Sequence, residues 1–310
     1  MAVFKTLCLA CSAISLSLSF AVLANNLAAD GTQAAPRASG AAGYPAVVLI
    51  NRGHSKLDPR YDYPRELLAE VLLRTEDEHD DVTVRPTDKV MPRDRALLEL
   101  ERGEVLHVMA EAPKPGWEER LIPVRIPIRK GIQGYRLFLI KQQNQPMFAS
   151  VNSWQQLADI ATGSGEQWST RWAMEKAGME VVTGLDYESL FRMLMHDRFY
   201  SFGRGVNEVF TEFDDRQRFY PDLAVESTLV VYIPLPTYFF VSPKYPALAA
   251  RIERGLRGMI DDGSFDRLFI EHFGAAIKRA DLANRKLFAI DNPNLSEQTP
   301  LQDAALWYRR

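Results

Sequence analysis

Ala46-Val47-Val48-Leu49-Ile50, closed at once by Asn51-Arg52-Gly53, decides how this chain folds. A continuous apolar run between turn residues has the form of a strand buried on both faces, as in a parallel sheet covered by helices. Working outward, Pro64 opens a helix, its fixed φ suiting a first turn, and Leu67, Leu68, Val71 and Leu72 give that helix an apolar stripe. Val82-Thr83-Val84 is a second strand. Arg95 to Arg102 is a helix with Ala96, Leu97 and Leu100 inward, stopped by Gly103, and Val105 to Met109 is a third strand. Strand, helix, strand, helix, strand is the rhythm of a parallel sheet.

The pattern then repeats. Tyr135 to Ile140 is a strand running into polar Lys141 to Gln145 and Pro146, which reads as a hinge. Trp154 to Leu157 leads through Ile160-Ala161-Thr162 to a turn at Gly163-Ser164-Gly165. A helix from about Ser169 ends at Gly178, a left-handed stop. Val181-Val182 is a strand, and Tyr187 to His196 a helix with Leu190, Phe191 and Leu194 inward. Leu229 to Val241, apolar and interrupted by Pro234 and Pro236, reads as a return crossing followed by a strand of the first unit. Pro246 to Ile260 is a helix with Leu248, Ile252, Leu256 and Ile260 at four-residue spacing, and Phe265 to Phe273 is a shorter amphipathic one. The expected fold is α/β, with two α/β lobes joined by two hinge crossings. Lobe one spans 45–141 and 236–291, lobe two spans 146–231, and 292–310 is a C-terminal tail that packs as an extended strap.

The first residues bear on compartment. Met1 to Lys5 carries one positive charge, Thr6 to Ala24 is mostly apolar, and Val22-Leu23-Ala24 places small residues before polar Asn25-Asn26. Residues 1–24 therefore read as a cleavable secretory signal peptide and 25–44 as a flexible leader, with the periplasm as destination. Cys8 and Cys11 both lie in the signal, so the mature chain has no disulfide or thiolate site. With 37 basic and 40 acidic residues, the charge balance argues against nucleic-acid binding. His54, His79, His107, His196 and His272 are dispersed without metal spacing, so neither a metal nor another cofactor is expected. No nucleophile elbow, phosphate loop or dinucleotide fingerprint is present, and no catalytic residue is assigned.

Several short motifs in this order resemble the type II periplasmic solute-binding proteins, in particular the polar amino-acid-binding kind (family 3) that serve ABC transporters. They are Leu98-Glu99-Leu100-Glu101-Arg102-Gly103-Glu104 before a strand, Glu118-Glu119-Arg120, Trp154-Gln155-Gln156-Leu157-Ala158, and Leu248 to Phe273 with Asp262-Gly263-Ser264-Phe265 and Phe273-Gly274. The resemblance covers roughly residues 45 to 275. It implies a monomeric solute-binding protein that captures a small, anionic or amino-acid-like ligand by hinge closure and hands it to an inner-membrane ABC permease. Two alternatives stay open: a ligand-sensing partner of a membrane receptor, and a dehydratase-like enzyme using Glu119 or Glu208 as acid or base. The chain departs from the family where Trp117 replaces a usual Thr, where Ile126-Pro127-Ile128-Arg129-Lys130 follows the arginine, and where Phe202-Gly203-Arg204-Gly205-Val206-Asn207-Glu208 lacks the usual aspartate. It is a divergent member of this resemblance.

The resemblance makes Arg120 the expected anchor of an anionic ligand, since a guanidinium pairs bidentately with a carboxylate. Its structural alternative is a salt bridge with Glu118 or Glu119. Ser169 and Thr170, at a helix start, offer free N–H groups and hydroxyls to an anion, or else simply cap the helix. Arg204 and Glu208 lie on a glycine-flanked loop that a closing second lobe could bring opposite Arg120; two arginines there suit a dicarboxylate or a phosphate. Trp168, Tyr135 and Tyr61 are candidate cleft walls, and His54 a further candidate contact at the end of the first strand.

Overall fold

The computed structural model describes residues 43–53, 61–75 and 82–310. The signal peptide and residues 25–42 of the leader, with His54 and His79, lie outside the described residues; Tyr44, expected in the flexible leader, is instead buried, its hydroxyl accepting from Arg251 at 2.6 Å. In chain order the first lobe carries β1 (Val47–Ile50), α1 (Asp62–Arg74), β2 (Thr83–Pro86), α2 (Arg93–Arg102), β3 (Val108–Glu111), α3 (Trp117–Arg120) and β4 (Ile122–Val124). The second carries β5 (Tyr135–Lys141), α4 (Gln145–Ala149), α5 (Trp154–Ala158), β6 (Thr162–Gly165), α6 (Ser169–Lys176), β7 (Val181–Gly184), α7 (Tyr187–Met195), β8 (Ser201–Gly205), α8 (Val206–Arg216), β9 (Leu223–Val225) and β10 (Leu229–Tyr232). The chain returns through β11 (Tyr238–Val241), α9 (Pro246–Asp261) and α10 (Ser264–Ala280), and ends with β12 (Lys286–Ala289) and an extended tail.

The first sheet is ordered β2-β1-β3-β11-β4, with β1 parallel to β2 and β3, and β11 antiparallel to β3 and β4. The second is ordered β12-β10-β5-β8-β6-β7, with β9 beside β5. The period-two geometry of strands sorts the core. In β11, Tyr238 and Phe240 turn to one face with Leu97, Leu100 and Trp117, while Phe239 and Val241 turn to the other with Leu67, Val71 and Ile252. In β5, Phe138 and Ile140 meet Phe148 and Leu157, while Leu137 and Leu139 meet the opposite cluster. That opposite cluster is shared: it runs from Val48, Leu67 and Leu256 of the first lobe through Ile128 and Ile132 to Phe191, Phe202 and Val206 of the second.

The crossings lie one strand earlier than the sequence reading places the first of them. Tyr135–Lys141, expected at the end of lobe one, belongs to the second sheet, where Leu137 pairs with Arg204 and Tyr232 with Tyr135. The chain changes lobe over residues 125–134, and the polar Lys141 to Gln145 stretch is a turn inside lobe two, not a hinge. Residues 233–237, between β10 of the second sheet and β11 of the first, carry Pro234 and Pro236. The two crossings lie side by side, with Ile128 N–H donating to the Thr237 carbonyl at 2.9 Å and Ile233 N–H to that of Gly134 at 3.0 Å. β12 was expected in lobe one but pairs in parallel with β10, so the chain passes to lobe two a further time. Gly163-Ser164-Gly165 is not a turn but the buried strand β6; a Cβ at Gly163 would strike the Phe199 ring. The short helix expected at Phe265 to Phe273 runs on to Ala280.

A buried carboxylate fastens β10, β12 and α4 together. Glu226 is fully buried and accepts from the N–H groups of Thr228 and Leu229, both at 2.7 Å, and from Gln145 Nε2 at 2.8 Å. Arg285, next to β12, lies 3.7 Å from the carboxylate and also donates to the Glu226 backbone carbonyl at 2.5 Å. Removing the carboxylate orphans buried donors, each costing about 1–3 kcal/mol. Glu226→Ala is therefore expected to lower the unfolding free energy by about 3 kcal/mol or more, read from the urea midpoint at unchanged slope; a loss within error would disprove this fastening role.

Candidate functional site

The described residues fall within one compact unit running from Arg37 to Arg310, and a polar cleft opens where the two sheets meet the crossings. A cavity of about 160 Å³ is bounded by Arg93 and Glu111 of lobe one, Arg129, Gln133 and Thr237 of the crossings, and Arg136, Trp168, Ser169, Thr170, Arg204, Asn207 and Glu208 of lobe two. It continues into a second compartment of about 230 Å³ that shares Tyr61, Arg93, Glu111 and Trp168.

Local sequence explains each placement. Arg204 sits on β8 and its side chain leaves the strand toward α8, which follows without a loop. Glu208 and Glu212 stand four residues apart on that helix, so both face the strand they have just left. Arg204 forms a two-bond fork with Glu212, both bonds at 2.6 Å, and reaches Glu208 at 3.0 Å. Its guanidinium also lies 4.5 Å from the centre of the Trp168 ring. Burial works against the Arg204 charge, but Glu208 and Glu212 together outweigh it and raise its pKa. Glu208 also caps the helix, accepting from Gly205 N–H at 2.9 Å.

Arg136, on β5, donates to the Gly203 carbonyl at 2.6 Å and to that of Gln133 at 3.1 Å. Burial pushes its pKa down to about 10 against the pull of Glu208, which still leaves it charged at neutral pH. Arg129, on the first crossing, reaches Thr237 on the second at 3.3 Å, and burial lowers its pKa as well. On the lobe-one wall Arg93 and Glu111 pair at 2.5 Å. The first turn of α6 opens into the same space. Ser169 and Thr170 are its first two residues, both buried, and Trp168 before them has no side-chain cap to offer. Free N–H groups at a helix start favour negative charge. Asn207 Oδ1 is buried without a hydrogen-bond partner and stands as an acceptor among these donors.

Of the residues expected from sequence, Trp168, Ser169, Thr170, Arg204, Glu208 and Tyr61 line this cleft. Two do not. Arg120 is exposed and forms a fork with Glu101 of α2, at 2.5 and 2.6 Å. Arg120 is the last residue of the single-turn α3, and its guanidinium is taken up by the Glu101 carboxylate of α2 at the surface instead of reaching the cleft. Tyr135 is buried beside Tyr232, and its hydroxyl donates to the Tyr308 carbonyl at 3.2 Å on the tail. Arg204 lies on a strand, not a loop, and faces Glu212 instead of Arg120. Glu119 is exposed on α3, and Glu208 is engaged by two arginines and a backbone N–H. Sequence reasoning missed Arg93, Glu111, Arg136, Asn207 and Thr237. Glu111 had a usable signal, because it closes a parallel strand at its carboxyl end, where open α/β sheets bind ligands.

The architecture is one of two α/β lobes, and it has counterparts among solved structures. It matches an ancestral arginine-binding protein bound to arginine, at 15% sequence identity over 73% of this chain and 97% of that one, with a TM-score of 0.52. A binding component of an ABC transporter from Wolinella succinogenes, complexed with lysine, matches at 15% identity over 73% and 94%, with a TM-score of 0.53. An ancestral amino acid-binding protein that is a precursor of cyclohexadienyl dehydratase matches at 13% over 74% and 95%, with a TM-score of 0.50. No protein-family model and no curated protein matches the sequence. The chain thus shares the fold of the amino-acid-binding proteins of ABC transporters at a distance that marks it as divergent. Among the described residues no group of His, Cys, Asp and Glu could hold a metal ion, and no helix is long and apolar enough to cross a membrane.

The buried and exposed forks make opposite demands. Removing one partner of a buried pair leaves an uncompensated charge and costs about 3–5 kcal/mol, whereas exposed pairs contribute little. Glu212→Gln is expected to lose stability on that scale in urea unfolding, while Glu101→Gln leaves the midpoint unchanged. Equal effects of the two would show that Arg204 does not depend on Glu212.

Proposed function

We propose that this protein binds a small carboxylate-bearing ligand between its lobes as an extracytoplasmic solute-binding protein, and presents it to an inner-membrane ABC permease. The supporting observation is the concentration of positive groups at one opening. Arg93, Arg129, Arg136 and Arg204 line the cavity together with the first turn of α6, against Glu111 and Glu208. A carboxylate reaching α6 would accept from Ser169 and Thr170 and sit within the field of the arginines. Asn207 Oδ1 would take a hydrogen bond from a hydroxyl or amine on the same ligand. The fold, shared with proteins described as bound to arginine or to lysine, supports binding in this cleft. The secretory character of residues 1–24 supports the compartment. A membrane receptor in place of the permease would use the same cleft.

The test is a thermal-shift screen of the mature chain against carboxylates, amino acids and small phosphates. A true ligand at one hundred times its dissociation constant adds about 2.7 kcal/mol of stability. Arg93→Ala and Thr170→Ala are expected to lose most of that gain, and Arg120→Ala to retain it. The proposal is wrong if no compound stabilises the chain, or if Arg120→Ala alone abolishes the shift.

A further inference from the structure

The tail after β12 crosses the molecule beside the cleft and touches both lobes and both crossings. Asn292 Nδ2 donates to the Pro234 carbonyl on the second crossing at 2.8 Å. Asn294 Nδ2 donates to the Ser169 carbonyl, in the first turn of α6, at 3.1 Å. Ser296 Oγ then reaches Glu118 Oε2 in lobe one at 2.8 Å. Within three residues the chain has thus passed from one lobe to the other next to a residue lining the cavity. Glu118 is itself held by a fork from Arg125, so the pin on the lobe-one side is not a loose surface group.

Further on, the tail seizes the first crossing. That crossing turns through two successive left-handed residues, Lys130 at φ 47° and Gly131 at φ 66°. A non-glycine residue in that region is strained, and such positions are where hinges absorb backbone change. Trp307 is buried with its indole on Gly131, so close that a Cβ there would collide with the ring. The indole N–H donates to the Pro300 carbonyl at 2.8 Å, which folds the tail back on itself. Tyr308 N–H donates to the Lys130 carbonyl at 2.7 Å. Arg310 closes the strap with bonds to the Leu282 and Arg285 carbonyls, both at 2.8 Å. Leu306 and Trp307 also belong to the apolar cluster that joins the two lobes.

From this geometry we infer that the C-terminal strap is a hinge clamp: residues 292–308 hold the lobes at a fixed opening without ligand, so that the cleft is pre-set for its occupant. The inference concerns regulation of the cleft and rests on the binding reading above for its purpose. Its geometry stands apart from that reading. Two pins span the cleft edge, and one aromatic wedge immobilises the turn that hinge motion would need to change. Release of the strap would widen the range of openings and lower affinity, because ordering the lobes would then be charged to the binding step.

The experiment measures the interlobe distance directly. Spin labels are placed at the exposed positions Leu98→Cys in lobe one and Leu185→Cys in lobe two, in a full chain carrying Cys8→Ser and Cys11→Ser. Distances are recorded without added ligand, so the result does not depend on what the cleft binds. The clamp predicts one narrow distance in the parent. Trp307→Ala, and separately the Asn294→Ala/Ser296→Ala pair, should broaden it or move it by more than about 2 Å, the scale of hinge rearrangement. Circular dichroism with a cooperative melt checks each variant. If Trp307→Ala does not fold, the Asn294/Ser296 pair, which leaves the wedge in place, decides the matter. Distributions in a folded variant that superimpose on the parent overturn the clamp. Failure of succinate, glutamate and inorganic phosphate to stabilise the parent would instead count against the binding reading and leave the distance result standing.

Discussion

Three guanidinium groups, those of Arg129, Arg136 and Arg204, are buried at the meeting point of the two lobes, and much else follows from the need to keep them charged there. A buried charge is tolerated only when its hydrogen-bonding capacity is met. The chain answers with carboxylates on α8, a helix that starts directly from the strand carrying Arg204. It answers also with the Gly203 and Gln133 carbonyls that Arg136 reaches at the end of β8 and on the first crossing. These partners fix α8 against β8 and β5, and so fix the wall on which Trp168, Ser169 and Thr170 stand. The same groups that make the cleft polar are those that hold its walls in register. A change to one of these groups therefore also disturbs the wall it holds.

What was legible in the sequence was local. The run Ala46 to Ile50, the stripe Leu67-Leu68-Val71-Leu72 and the four-residue spacing from Leu248 to Ile260 each carry their own period, and each forms the expected element. Sheet membership was not local. Nothing within Tyr135–Lys141 says which lobe it joins; its pairing with β8 and β10 lies some seventy to one hundred residues away. β12 is the same case at the other end of the chain. Gly203-Arg204-Gly205 reads as a loop because glycine marks turns, yet both glycines lie in a strand, and at Gly205 the Gln133 backbone approaches closely enough to crowd a Cβ. Arg120 was misplaced for a different reason. Its position on the chain matched the expected motif, but its side chain is taken by Glu101, a partner on α2 nineteen residues earlier that the motif itself does not reveal.

Two-lobed binding proteins close on a ligand when their lobes share little surface and move as separate bodies. This chain departs from that condition in three ways that reinforce one another. Its apolar cluster runs unbroken through Ile128 and Ile132 from one lobe to the other. Its last strand belongs to the second sheet, although α9 before it packs with the first lobe. α10 packs against both α9 and α8, and its Arg279 forms a fork with Asp214 on α8 at 2.7 and 2.9 Å, an exposed pair that adds little to the packing itself.

A cleft held in this way shifts where the free energy of recognition is spent. In a freely hinged protein, ligand contacts must offset the ordering of two lobes at the moment of binding. If packing and the strap order them beforehand, as inferred above, that cost would be met during folding, and ligand contacts would act on a surface near its final shape. The charge pairs of the cleft each lie within one lobe: Arg204 with Glu208 and Glu212, Arg136 with Glu208, and Arg93 with Glu111. Arg129 on the first crossing reaches Thr237 on the second, which joins the crossings to each other. Polarity therefore holds each wall and the crossings, while the unbroken apolar cluster holds the walls to one another.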